Sequence, residues 1–581
     1  MINISVVLLA LLGTANALYT VKRQAARQFL FENIAPSKEI EWHPCNATQE
    51  VYMECARLIV PLDYQNTSNG LEAIVPIVKY PTNATGDGYK GAVLTNPGGP
   101  GYLGTEFVYN PANALDIAQN LTGPGYDILG FDIRGVGYSI PYGACNITAT
   151  DLFDPLRQNA TRGAYTKRDG EKNENNHSSI PSGALDTEIA YGFYVPRLTP
   201  EFIKQSTQYG DLLNKACIAY TGADNQAGPY MNTAVIATDM LSIAKALARS
   251  RGQNDTKAMV HYYGVSYGTV LGQTFATMYP DHVGKFVLDG VVDMDGWQAR
   301  TEYDIVRHLD EGVFQFFKRC SDAGPKVCAF ATGTSYHDVI SRFNNMTSRF
   351  NVTMYEVEKS EYASAVFSLV AQLKSTILNA MYSSILEWEG LAVLLAALDK
   401  ATTAPFQEWN ATAIAEILAL PLQAPADPSR PPAPLQDRTY SFYQTGCGDA
   451  FSIYNTTVSP ALQEVYISAS IVAGTTRMGD RIICSRYQIR PKWEWHERIG
   501  GTPKTPILFI GNTLDPVTPW EDAVKASAKF TGSQTVIVDL IAHSAYASEN
   551  TCAYSKMRAY FQSGKMPGNN YHCPEGRKPF T

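Results

Sequence analysis

The stretch that most constrains this chain is Gly264-Val265-Ser266-Tyr267-Gly268 together with what flanks it. An apolar and aromatic run, Val260-His261-Tyr262-Tyr263, leads in, and Val270, Leu271, Thr274, Phe275 and Met278 follow at helical spacing until Pro280. A strand that breaks into a helix at Gly-x-Ser-x-Gly lifts a serine hydroxyl onto a sharp, strained turn. The flanking glycines fit that turn, because a Cβ at either position would collide with strand or helix.

At 581 residues the chain exceeds what one simple core holds, which implies a main domain plus a large insertion. The formal charge of -8, with no basic run able to track phosphates, argues against a nucleic-acid partner. Residues 1–17 read as a signal peptide: Val6 to Leu12 form a short apolar core, and Ala15-Asn16-Ala17 supplies the small-x-small cleavage pattern. No later stretch approaches the roughly 20 apolar residues of a membrane span. Residues 18–41 form a leader or pro-segment. The ten cysteines include near pairs, Cys45 with Cys55, Cys320 with Cys328 and Cys552 with Cys573. An even total suits a disulfide framework formed in an oxidising compartment. Sequons at Asn46, Asn66, Asn83, Asn120, Asn146, Asn159, Asn176, Asn254, Asn345, Asn351, Asn410 and Asn455 point to a glycosylating secretory route.

In chain order, Trp42 to Tyr64 reads as edge strand pinned by a small disulfide loop, and Leu71, Ala73, Val75 and Ile77 continue a meander. The buried-strand pattern Gly91 to Thr95 runs into the Gly-rich loop Asn96-Pro97-Gly98-Gly99-Pro100-Gly101. Tyr126 to Phe131 is a further strand, ending in Asp132-Ile133-Arg134-Gly135-Val136-Gly137. Asp132 and Arg134 read as a buried structural ion pair holding that turn. Residues 145–186 are a polar surface excursion, and Thr233 to Leu247 is an amphipathic helix. After the strand Phe286 to Val292, helical periodicity takes over, interrupted by the Pro-rich stretch 423–432. Strands resume at Thr505 to Gly511, followed by Asp515, and a final strand at Gln534 to Leu540 leads to His543.

The expected architecture is therefore α/β: a core over residues 42–296, a helical cap over 297–500, and a core continuation over 501–581 carrying Asp515 and His543. Ser266, Asp515 and His543 occur in that order, the latter two in loops after strands, and 515 − 266 = 249 residues leave room for the cap. A serine attacks acyl carbon only when a base takes its proton. His543 is the candidate base, Asp515 its orienting acid, and Ser266 the nucleophile. The Tyr267 N–H and one from Gly98, Gly99 or Gly101 would hold a developing oxyanion, since Pro97 and Pro100 have none. His261 reads as a packed core histidine, and Asp539 is a weaker rival acid because it sits in a strand.

These motifs resemble the secreted tripeptidyl aminopeptidase-like branch of the proline iminopeptidase family, serine peptidases of the α/β-hydrolase fold. The resemblance rests on Asn96 to Gly101, Asp132 to Gly137, Gly264 to Gly268 and Asp515-Pro516-Val517-Thr518-Pro519. The tail adds to it: His543, Cys552, Tyr560, Gly564-Lys565-Met566-Pro567 and Cys573. It departs at Tyr102-Leu103-Gly104, where a small Ser-Gly is common, and at Ala542, where Gly is usual. It implies an exopeptidase acting on free N-termini, with no cofactor and no metal, and the further bridges Cys145–Cys217 and Cys447–Cys484. The residues alone imply only acyl transfer to water, so an esterase or small-molecule hydrolase stands as the alternative, ahead of a silent binding protein. An exopeptidase needs a carboxylate for the substrate's α-ammonium; Asp449, Glu387 and Glu389 are the candidates. The partner expected is a peptide or small acyl substrate. Non-reducing peptide mapping should return five linked cysteine pairs, each worth about 2–5 kcal/mol, with no free thiol.

Overall fold

In a computed structural model, residues 31–45, 51–147, 199–357, 363–405, 408–420, 422, 438–548 and 550–581 are described. The signal peptide, most of the 145–186 excursion, the Pro-rich stretch and the sequons at Asn46, Asn159 and Asn176 lie outside them.

The strands are β1 (His43–Pro44), β2 (Glu54–Pro61), β3 (Glu72–Tyr80), β4 (Gly91–Asn96), β5 (Tyr126–Phe131), β6 (Val260–Val265), β7 (Val283–Asp289), β8 (Leu508–Asn512), β9 (Gln534–Val538) and β10 (Tyr571–Cys573). They form one ten-stranded sheet in the order β1-β2-β3-β5-β4-β6-β7-β8-β9-β10. The first three strands join antiparallel, β3 pairs antiparallel with β5, and every later pair is parallel. The edge strand β10 was not expected, because three residues give no periodicity to read; the Cys552–Cys573 bridge and parallel pairing with β9 place it.

The order reverses at β4, which has β5 on one side and β6 on the other. Open α/β sheets bind ligands at the carboxyl ends of strands at such a reversal. Here those ends carry the Gly-rich loop and the Gly-x-Ser-x-Gly turn.

Strand alternation builds the two cores. Tyr262 of β6 packs with helices Thr233–Ser250 and Tyr267–Met278 on one face, while Tyr263 and Val265 pack with helix Thr551–Ser563 on the other. Between β7 and β8 the described residues contain helices and no strand, from Met294–Ala299 to Gly474–Arg486, with a separate core around Phe316, Phe317, Trp388 and Leu395. All five expected disulfides are present, and no described cysteine is free.

Asp132 and Arg134 are both buried but do not pair with each other. Asp132 accepts hydrogen bonds from the Thr105 N–H, the Thr105 hydroxyl and the Tyr138 N–H at 2.8–3.0 Å, and burial pushes its carboxyl up to about 6. Arg134 instead forks onto Asp239 at 2.7 and 2.8 Å and donates to the Pro61 carbonyl. Its partner lies 105 residues away, beyond what local sequence could name. Removing one member of such a pair leaves a bare buried charge. Arg134→Met should therefore lose about 3–5 kcal/mol, seen as a lower thermal midpoint, whereas exposed Arg249→Met should shift it little.

Candidate active site

Strand β6 delivers Ser266 into φ 57°, ψ -122°, a region that L-residues avoid. The reason is room. A Cβ on Gly264 would stand 2.5 Å from the Gly268 carbonyl oxygen, and one on Gly268 would stand 2.6 Å from that of Asn96. The turn is tied down by the Ser266 N–H, donated to the Asp289 carbonyl at 3.0 Å, and by the Thr269 hydroxyl, donated to the Ser266 carbonyl.

Asp515 follows β8 and is completely buried. Its Oδ1 accepts the Val517 and Thr518 N–H groups at 3.0 and 2.8 Å, and its Oδ2 accepts the Ser544 N–H at 3.0 Å. Both oxygens lie 3.0 Å from His543 Nδ1. An acceptor held by three backbone donors cannot turn away, so the ring is aimed with Nε2 outward. That Nε2 is buried and has no partner among the described residues. The Asp289–Gly290 segment brings nucleophile and base to one place: Asp289 receives the Ser266 N–H, and a Cβ on Gly290 would come within 3.2 Å of His543 Cε1.

The Gly-rich loop reaches the same spot. A Cβ on Gly98 would stand 2.7 Å from that of Ser266 and 3.1 Å from the Tyr267 nitrogen. Gly98 is nevertheless not a free donor, because its N–H goes to Asn96 Oδ1 at 2.9 Å. Among the described residues the Gly99 and Tyr267 N–H groups have no backbone acceptor, which leaves both as candidate oxyanion donors.

Thr518 was missed in the sequence. Its hydroxyl lies 3.0 Å from His543 Nδ1, sharing that nitrogen's side with Asp515. The available signal was a hydroxyl three residues after an acid in a loop, a spacing that also makes an ordinary Asx turn. Tyr382 was missed as well: its carbonyl accepts the His543 N–H at 2.9 Å, and its ring meets the imidazole edge-on at 5.0 Å.

The amine-binding candidates fall apart as a group. Asp449 is half-buried; its Oδ1 accepts the Thr233 N–H, while Oδ2 accepts the Thr233 hydroxyl and the Trp297 indole N–H, at 2.6–2.9 Å. It fastens helix Arg438–Asp449 to helix Thr233–Ser250, so three of its roughly four acceptor sites are used within the fold. Glu389 is exposed on its helix, and Glu387 beside it is half-buried. His261 is a structural residue: it accepts the Lys285 N–H at 2.9 Å, and burial lowers it to about 4. Asp539 lies exposed just beyond β9.

A different acid stands out. Glu302 is buried and accepts no hydrogen bond among the described residues; its one contact is Arg300 Nη1 at 3.1 Å. The Arg300 guanidinium, over the Trp297 ring at 4.9 Å, is itself fully buried with none of its three nitrogens hydrogen-bonded. Burial raises the Glu302 carboxyl, with Arg300 and Arg477 opposing. Asp480 adds to that rise.

A family model described as alpha/beta hydrolase fold matches residues 91–372, and one described as TAP-like protein matches residues 470–573. A tripeptidyl aminopeptidase of Streptomyces lividans is 27% identical over 272 residues, 46% of this chain and 41% of that protein. A serine protease of Mycobacterium tuberculosis is 27% identical over 290 residues, 48% of this chain and 45% of that protein. A carboxylesterase B of Mycobacterium tuberculosis is 35% identical over 133 residues, 22% of this chain and 23% of that protein. The chain thus spans less than half the length of these relatives.

Ser266→Ala should abolish labelling by a fluorophosphonate and lower turnover by on the order of 10⁶, with the fold intact. His543→Ala should be nearly as damaging, and His261→Ala should not. Undiminished labelling of the Ser266 variant would move the nucleophile elsewhere.

Proposed function

We propose that this chain, an α/β-hydrolase with a TAP-like C-terminal region, is a secreted serine exopeptidase that releases residues or short peptides from free N-termini. The observation that carries the reading is the aligned His543, whose Nε2 is left without a partner beside a strained serine. Relatives named as peptidases support it. Five disulfides and the apolar leader support passage through an oxidising compartment, with glycans at the sequons. Among the described residues no helix is long and apolar enough to cross a membrane.

Ser266 Oγ attacks the substrate carbonyl carbon as its proton passes to His543 Nε2, and Asp515 stabilises the imidazolium that forms. The Gly99 and Tyr267 N–H groups take the oxyanion. Collapse breaks the C–N bond, the leaving amine takes the proton from Nε2, and an acyl ester remains on Ser266. Water repeats the sequence, frees the acid product and restores the serine.

The remaining requirement is an anchor for the substrate's ammonium, and Glu302 fits it better than the three acids read from sequence. It is ionisable, buried, and short of donors among the described residues. Arg300 favours its charged form without consuming both oxygens. An esterase remains the alternative, since the same triad cleaves neutral esters and one relative bears that name.

Glu302→Gln should cost on the order of 10²–10³-fold on free-amine peptidyl amides while sparing neutral acyl esters. N-acetylation of the substrate should reproduce that loss in the unaltered protein. Equal cleavage of acetylated and free-amine substrates would remove the exopeptidase reading and leave the esterase.

A further inference from the structure

A second buried acid stands beside the triad, and the reaction sequence above does not use it. Asp289 ends β7, next to the nucleophile strand, in register with Val265. Its side chain and backbone work in two directions. The backbone carbonyl takes the Ser266 N–H at 3.0 Å. Oδ1 takes the Ala545 N–H at 2.9 Å, and Oδ2 takes the Tyr546 N–H at 3.2 Å and the Tyr263 hydroxyl at 3.0 Å. Ala545 and Tyr546 open the short helical turn Ala545–Ser548, two and three residues after His543. One residue thus grips the elbow by its main chain and the base-bearing loop by its carboxylate.

We infer that Asp289 is a positioning residue that sets the base against the nucleophile, and that its ionised form is the working one. The argument is donor counting. All three donors bond a charged acceptor, and protonation weakens all three bonds and adds a buried O–H that needs an acceptor of its own, which the Tyr263 hydroxyl supplies only by turning round. Protonation therefore loosens the 545–546 turn, and with it the loop that carries His543. The groups facing Asp289 are Tyr263 from β6, His543 and Tyr546 from the loop after β9, and Tyr554 from helix Thr551–Ser563, whose hydroxyl is bonded to Asp116. None of the tyrosines supplies positive charge. Burial accordingly pushes Asp289 up to about 6, so it is ionised above that pH and neutral below it. Acidification through that range therefore removes the charged Asp289.

This rests on the Ser266–His543 reading but not on the identity of the substrate, so the test uses the rate of fluorophosphonate labelling as a function of pH. For the unaltered chain, the rate should fall on acidification through about pH 6, and more steeply than in Asp289→Asn. Asp289→Asn should be about 10- to 10²-fold slower at pH 8, through misplacement of the base, with a shallower fall on the acid side. Tyr263→Phe keeps the carboxylate and removes one donor, so the steep region should begin roughly half to one unit higher. That variant decides the matter alone if Asp289→Asn does not fold. Variants that lose thermal stability while keeping the unaltered pH profile would reduce Asp289 to a structural role and overturn the inference. An acid-side fall in the unaltered chain no steeper than that of Asp289→Asn would overturn it too. Absence of labelling at every pH in the unaltered chain would remove the triad reading and this one with it.

Discussion

The arrangement depends on one enforced backbone conformation. Ser266 sits in a region that costs about 1–3 kcal/mol, and it stays there because each way of relaxing meets an obstacle. The Gly268 backbone lies against Asn96, Gly98 lies against Ser266, and the Ser266 N–H is held by Asp289. Three strands, β4, β6 and β7, must be in register for those contacts to coexist. The ten-stranded sheet is in this sense the frame that keeps one serine strained, and the buried Arg134–Asp239 pair keeps the neighbouring turn from shifting.

What could be read from the chain beforehand was what is local. Strand patterns such as Gly91 to Thr95 and Phe286 to Leu288 carry their own periodicity, and Ser266, Asp515 and His543 each follow one. The cysteine pairing could also be read, through near spacing and family resemblance. What could not be read is what distance makes. Asp132 and Arg134 look like partners two residues apart, yet each finds its partner elsewhere in the fold. Asp449 looks like a free acid beside a disulfide, but Thr233, 216 residues earlier, occupies it. Gly98 looks like an oxyanion donor until the Asn96 side chain folds back onto it. Glu302 carries no motif and is conspicuous only once its lack of donors is seen.

The helical region is anchored to the same machinery. Asp449 fastens one of its helices to Thr233 and Trp297, and the Trp297 ring packs 5.8 Å from that of Tyr267, the residue after the nucleophile. The Cys447–Cys484 bridge lies two residues from Asp449 and joins helix Arg438–Asp449 to helix Gly474–Arg486, which carries Arg477 and Asp480. Rocking this region would therefore strain groups that touch the elbow.

The strand order also has a consequence for how the molecule is made. Strand β7 pairs on one side with β6, but its other neighbour, β8, begins 508 − 289 = 219 residues later. At a synthesis rate of about 5–20 residues per second, that edge waits on the order of 10–40 s for its partner. Throughout that interval a central, apolar strand presents unpaired amides to whatever else is nascent nearby. The helices emerging meanwhile have their own core and two internal bridges, Cys320–Cys328 and Cys447–Cys484, so they can condense without the missing strands. The vulnerable period in the life of this molecule is thus its birth, and the yield of folded protein will respond first to substitutions along the waiting edge of β7.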